Sequence, residues 1–123
     1  VFMDVAHNPA GCRVLAETFR QCITVFAVSS DKNVSAMLDI LAPISSPFLL
    51  TEYSGSRSMP LAELQIHCAN YPHKCCPDLR IAIKQGMELA SPEKPLLITG
   101  SIYAVGEARQ IMMEEYGVGA IVF

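Results

Sequence analysis

Asp4 and His7 stand three positions apart near the start of the chain, with Asn8 and Pro9 directly behind them. A carboxylate and an imidazole together can hydrogen-bond hydroxyls and phosphates, and the imidazole can also carry a proton. Ahead of them Val1-Phe2-Met3 is a short apolar run that reads as a strand. Asn8 suits a helix N-cap because its side chain accepts from a free helical N–H, and Pro9 suits the first helical position. This order places Asp4 and His7 at the carboxyl end of a strand, where open α/β sheets bind ligands. Spacing alone fixes no geometry for the pair, and no second His or Cys lies close enough in sequence to complete a metal site. The chain begins without Met or a polar arm, so it is expected to be a piece of something larger.

A second place with chemical potential is Thr99-Gly100-Ser101. Gly100 allows a tight turn, and the Ser101 hydroxyl would lie near helical N–H donors, which suits a phosphate or carboxylate oxygen. Ser29, Ser30, Asp31 and Lys32, and the polar stretch from Thr51 to Arg57, complete the candidates. Taken one at a time, Asn8 and Ser101 are plainest as helix caps and Asp31 as a turn residue. His67-Cys68, His73 and Cys75-Cys76 lack zinc spacing, since neighbouring cysteines rarely converge on one ion and two prolines interrupt the stretch. A loop with partly buried thiols is expected there, and no metal site is assigned. The scattered methionines read as core filling. There is no Gly-Lys-Ser/Thr phosphate loop and no G-x-G-x-x-G, which argues against an independent nucleotidase or dehydrogenase.

The elements that must hold these residues alternate. A helix is expected from Pro9 to about Gln21, a strand over Ile23–Val28, a helix from Asn33 to Leu41 and a strand over Phe48–Thr51. Pro60 to about Cys68 reads as a helix, Ala69 to Pro77 as a stretch with room for a short strand, and Leu79 to Leu89 as a helix weakened by Gly86. Pro95–Thr99 is a buried strand, and Ser101 caps a helix running to about Glu115. Gly117 to Phe123 has room for a last, antiparallel edge strand. The fold expected is α/β: one three-layer, Rossmann-like domain with a mostly parallel sheet.

Composition agrees. The 123 residues are 51% hydrophobic and 17% charged, which excludes disorder, and the net charge of −3 forms no basic face for nucleic acid or membrane. No apolar run is long enough to span a membrane and no leader is visible. Five cysteines, an odd number with two adjacent, fit a reducing, cytoplasmic setting better than a disulfide framework.

Three segments, in order along the chain, resemble one family. Asp4-Val5-Ala6-His7-Asn8-Pro9 resembles the D-G-A-H-N-P that opens the C-terminal domain of folylpolyglutamate and dihydrofolate synthases. Val25-Phe26-Ala27-Val28 with Asp31-Lys32 stands where that family has F-G-x-x-x-D-K-D. Leu97 to Arg109, with its G-S-x-Y-x-x-G-E-A-R, is similar to the family's final strand, turn and helix. Two positions depart, Val5 and Ala27, each standing where the family has glycine and each adding a side chain to a tight rim.

The resemblance implies the C-terminal, glutamate-side domain of an ATP-dependent amide ligase. Such an enzyme adds L-glutamate to folate or dihydropteroate through an acyl phosphate. ATP and Mg2+ would be held mainly by an N-terminal P-loop domain outside this chain, which alone would be inactive. By the same resemblance Asp4 would bond the nucleotide's ribose, and His7 would act in catalysis, facing the phosphates or the incoming amino acid. Asn8 would support the nucleotide side, and Ser101 with Tyr103 would seat glutamate. Asp31, Lys32, Glu107 and Arg109 match the family but read as ion-pair or capping residues. A monomer is expected. Two alternatives stay open: the C-terminal domain of a peptidoglycan Mur ligase, which the G-S-x-Y-x-x-G-E-A-R segment disfavours, and a stand-alone, non-catalytic α/β ligand-binding domain.

Overall fold

The apolar runs form strands because their side chains divide between two cores. All five residues of β2 (Cys22–Phe26) are buried. Ile23 and Val25 enter one core, while Cys22 and Phe26 enter the other, as the period of two in a pleated strand requires. A strand buried on both faces belongs inside a parallel sheet covered by helices.

The computed structural model describes residues 1–117. The other strands are β1 (Phe2–Met3), β3 (Ser45–Leu50), β4 (His73–Cys75) and β5 (Leu96–Thr99). The helices are α1 (Pro9–Thr18), α2 (Val34–Leu41), α3 (Leu61–His67), α4 (Leu79–Leu89) and α5 (Ile102–Glu115), with a 3-10 turn at Ala42–Ile44. The strands lie in the order β1-β5-β2-β3-β4, and every pairing is parallel. The expected antiparallel edge strand at Gly117–Phe123 lies outside the described residues, apart from Gly117. No described helix is long and apolar enough to cross a membrane.

Cys12, Leu15, Met37, Leu38 and Leu64 bring α1, α2 and α3 onto one sheet face. Leu79, Ile83, Val105 and Met112 bring α4 and α5 onto the other. The result is the three-layer α/β architecture expected. Loops leaving β1 and β2 therefore turn to one face and the loop leaving β5 to the other. Such a reversal opens a crevice at the carboxyl ends of these strands.

Local departures from expectation have local causes. Helix α1 stops at Thr18 rather than Gln21, because the extended Phe19 turns its ring edge onto Phe2, 5.0 Å between centroids. Strand β3 begins at Ser45 although Pro47 cannot donate to a sheet ladder. The chain accommodates this with one extra residue, since Cys22 pairs with Ser45 but Thr24 pairs with Phe48. Ser45 also donates its hydroxyl to buried Thr24 at 2.7 Å. Gly86 leaves α4 intact and lets it approach the sheet closely; a Cβ there would lie 2.5 Å from Leu96 Cδ1.

Candidate functional site

The two segments singled out at opposite ends of the sequence meet edge to edge. β1 pairs with β5, so the Asp4 N–H donates to the Ile98 carbonyl at 3.0 Å, and the Gly100 N–H donates to the Ala6 carbonyl at 3.2 Å. Between them the Thr99 hydroxyl donates to the Asp4 carbonyl at 2.9 Å. On the other flank the Ala27 N–H donates to the Thr99 carbonyl at 3.4 Å. One hydrogen-bonded rim thus carries the ends of β1, β5 and β2. The N-termini of α1 and α5 point at it, and their partial positive charge favours anions.

Gly100 holds this junction with φ +115°, and a Cβ there would come within 2.4 Å of the Ala27 carbonyl oxygen. Val5 and Ala27, the two departures, need no such freedom, because no described residue other than glycine has positive φ. Val5 points half into solvent, and Ala27 packs with Tyr53 and Ala104.

His7, Ser101 and Tyr103 line one cleft of about 170 Å³, together with Ser29, Asp31, Lys32, Arg57 and Ile102. His7 Nδ1 lies 2.9 Å from the Val5 carbonyl oxygen. A carbonyl can only accept, so Nδ1 is the donor in this contact, and a neutral imidazole in that tautomer has its lone pair on Nε2. Ser101 is buried, and its Oγ accepts from the N–H groups of Tyr103 and Ala104 at 3.1 and 3.4 Å. It is therefore a helix cap whose own hydroxyl proton stays available. Tyr103 is exposed and stacks on Tyr53 with ring centroids 5.9 Å apart. Asp4 and Asn8 lie on the rim but do not line this cleft. Asp4 Oδ1 accepts from the Ala6 N–H at 2.9 Å, and Asn8 Oδ1 caps α1 through the Gly11 N–H at 2.8 Å.

Sequence reasoning reached Arg57 only as the end of the polar stretch from Thr51, with no role of its own, and set Lys32 aside as an ion-pair residue. Lys32 does face Asp31 at 3.9 Å, yet the pair is partly exposed and also lines the cleft. The available signal was topological: both residues follow strand ends on the rim that carries His7. Glu107 behaves as a structural residue, its Oε1 accepting from the Ser54 N–H at 3.0 Å.

A larger cleft lies elsewhere, about 560 Å³ between α4, α5 and the loop after β3. Its acids serve local structure: Glu52 accepts from the Leu61 N–H, Asp78 caps α4, and Glu114 faces Arg80.

The histidine and cysteine stretch is dispersed. His67 meets Ser35, His73 meets the Tyr71 carbonyl and Gln65, and Cys68 and Cys76 enter opposite cores. Among the described residues no group of three or more His, Cys, Asp or Glu is placed to hold a metal ion.

All five cysteines are free, and Cys75 alone is exposed. A thiol reagent on the native protein is therefore expected to consume one thiol quickly and the other four only on unfolding. Burial pushes Cys12, Cys22 and Cys68 from 9.0 to about 11, with Asp4 adding to Cys12 and Cys75 to Cys68. Unfolded thiols ionise first, so the stability these groups contribute is full below about pH 9 and is lost as pH rises towards about 11. Denaturation midpoints measured across that window should fall; a flat profile would contradict the burial.

The model of the Mur ligase glutamate ligase domain family matches residues 1–102. A dihydrofolate synthase/folylpolyglutamate synthase from Mycobacterium tuberculosis is 30% identical over 134 aligned positions, covering 90% of this chain and 28% of that protein. The folylpolyglutamate synthase of Lacticaseibacillus casei is 30% identical over 120 positions, covering 92% of this chain and 27% of its own length. Among solved structures, the Mycobacterium tuberculosis folylpolyglutamate synthase complexed with ADP and AMPPCP superposes with a TM-score of 0.81 at 30% identity. That alignment covers 88% of this chain and 28% of the other. The chain thus spans just over a quarter of the length of these relatives.

Proposed function

Because the chain belongs to the Mur ligase glutamate ligase domain family, we propose that it is the C-terminal, glutamate-side domain of an ATP-dependent ligase adding L-glutamate to folate or dihydropteroate. The observation that carries this reading is the rim itself. Residues 4–9 and 97–109, each resembling the folylpolyglutamate synthase pattern, are hydrogen-bonded to each other beside a small cleft holding His7, Lys32 and Arg57. The resemblance of both relatives, named as folylpolyglutamate synthases, supports the substrate class.

The residues present fit an anionic ligand: two cations, an imidazole and the N-termini of α1 and α5 converge on one edge. They fit Mg2+ poorly, given the lack of a metal-holding group among the described residues, so its ligands are assigned to an N-terminal P-loop domain in the remainder of the enzyme. ATP, when bound, supplies the phosphoryl group that activates the acceptor carboxylate as an acyl phosphate.

In this chain Asp4 reaches ribose hydroxyls with its free carboxylate oxygen, and Asn8 steadies the loop on the nucleotide side. His7 Nε2 takes a proton from the attacking amino group, and the Ser101 hydroxyl and Tyr103 seat the amino acid. Closure of the rim over the site excludes water, which an acyl phosphate would otherwise meet. Free buried thiols and a described set of helices too short or polar to span a membrane support a cytoplasmic enzyme, read here as a monomer.

The test is ADP release by the full-length protein, followed with product chromatography. ADP release requiring both L-glutamate and folate or dihydropteroate is expected, with no turnover by residues 1–123 alone. Turnover only with a peptidoglycan precursor as acceptor would move the protein to the other branch of the superfamily. Ligand binding without turnover by the full-length protein would make it a non-catalytic binding domain.

A further inference from the structure

Arg57 and Tyr103 line two adjoining clefts. The first also holds His7, Asp31 and Lys32; the second, about 220 Å³, is walled by Tyr53 and residues 54–56 and contains neither His7 nor Lys32. Arg57 thus stands where the first cleft adjoins a second one that the imidazole does not line.

The segment that carries it is pinned on both sides. The Arg57 carbonyl accepts from the Ser30 N–H at 2.9 Å, the Met59 N–H donates to the Val28 carbonyl at 2.8 Å, and Ser58 bridges to Ser29. Tyr53 is held through a 2.7 Å hydrogen bond between its hydroxyl and that of Ser29, and its N–H donates to the Ser58 hydroxyl at 3.1 Å. The guanidinium itself is exposed and forms no ion pair among the described residues. A cation on fixed backbone with its donors unspent is available to a ligand, and guanidinium matches a carboxylate in two parallel hydrogen bonds.

Lys32 and Arg57 supply two positive charges to the first cleft and Asp31 one negative. An amino acid with a side-chain carboxylate has the complementary set, two carboxylates and one ammonium. Resting on the ligase reading above, we propose that Arg57 selects the amino-acid substrate by binding its side-chain carboxylate. The attacking amino group must lie towards His7, so the far carboxylate reaches Arg57. An amide or alkyl analogue of the same length leaves the guanidinium without an anionic partner, and that loss is the basis of discrimination.

The experiment compares the full-length wild-type enzyme, Arg57→Met and Arg57→Lys with L-glutamate, L-glutamine and L-norvaline, reading kcat and KM for each. Arg57→Met is expected to lower kcat/KM for L-glutamate by about 100-fold, mainly through KM, while values for the two uncharged amino acids change little. Arg57→Lys should recover part of the preference, because it restores the charge without the fork. A parallel fall for all three amino acids, a loss confined to kcat, or an unchanged preference overturns the assignment. Wild-type enzyme with no glutamate-dependent turnover overturns the ligase reading and this inference together. Wild-type turnover with an unaltered preference in Arg57→Met overturns this inference alone.

Discussion

Gly100→Ala is expected to destabilise the fold by about 3 kcal/mol or more, combining a strained backbone with a forced contact. At φ +115° an alanine is strained whatever space surrounds it, and its Cβ would stand 2.4 Å from the Ala27 carbonyl oxygen. Neither neighbour can yield cheaply. Ala27 is held by its N–H to the Thr99 carbonyl, and the fully buried Phe26 ring would lie 3.1 Å from the new methyl. Native domains are stable by only about 5–15 kcal/mol, so a loss of this size should be plain in a urea titration as a lower midpoint. A shift below about 0.5 kcal/mol, the range of neutral surface changes, would show that the turn relaxes and that the rim is softer than its hydrogen bonds indicate. The same variant should disarm the site in the full-length enzyme, because Gly100 is the joint between the Ala6 carbonyl and the end of β5.

The second large effect is chemical. His7→Ala in the full-length enzyme is expected to lower kcat by about 10²- to 10⁴-fold, the usual scale for loss of a positioned acid or base. Stability should change little, since His7 is half-buried and its one hydrogen bond among those resolved runs to the neighbouring Val5 carbonyl. Steady-state ADP release, paired with a thermal melt, separates the two readouts. Activity within threefold of wild type would remove His7 from the mechanism. Asp4→Ala should act differently, by weakening nucleotide binding, and growth without folate end-products offers a complementation test of both variants.

Much of this architecture was legible in the sequence for simple reasons. The runs at residues 23–28 and 95–99 carry no charge and one threonine each, so they read as central strands and contain most of β2 and all of β5, and Asn8 and Ser101 cap the helices they were expected to cap. Less visible were features that depend on partners distant along the chain. β3 begins three residues early because a bulge against β2 tolerates Pro47. β4 is a three-residue strand in a stretch with no alternation to betray it. Strand order could not be read at all, since adjacency of β1 and β5 rests on contacts between residues nearly a hundred positions apart. Arg57 could be read only as the end of a polar stretch for a related reason: nothing in the sequence shows that the bridge from Ser58 to Ser29 brings that loop to the cleft that His7 lines. Val5 was the most suspect residue of the opening motif, and an ordinary backbone with the side chain turned outward accommodates it.

The sheet order also sets a timetable. β5 is the sole neighbour of β1 among the described strands, and it is the last of the five in the chain. During synthesis, β2, β3 and β4 can pair as they emerge, while β1 must wait for residues 96–99 before it has an edge to join. Domains fold as their sequence becomes available, from the N-terminal side first. Within this domain the segment bearing Asp4 and His7 is therefore made before the other described strands and placed after them. Until that late pairing closes, a nascent domain can hold the Lys32 and Arg57 side of the cleft without the joined edge that places Asp4, His7 and Ser101, so the cleft is completed only with the last described strand.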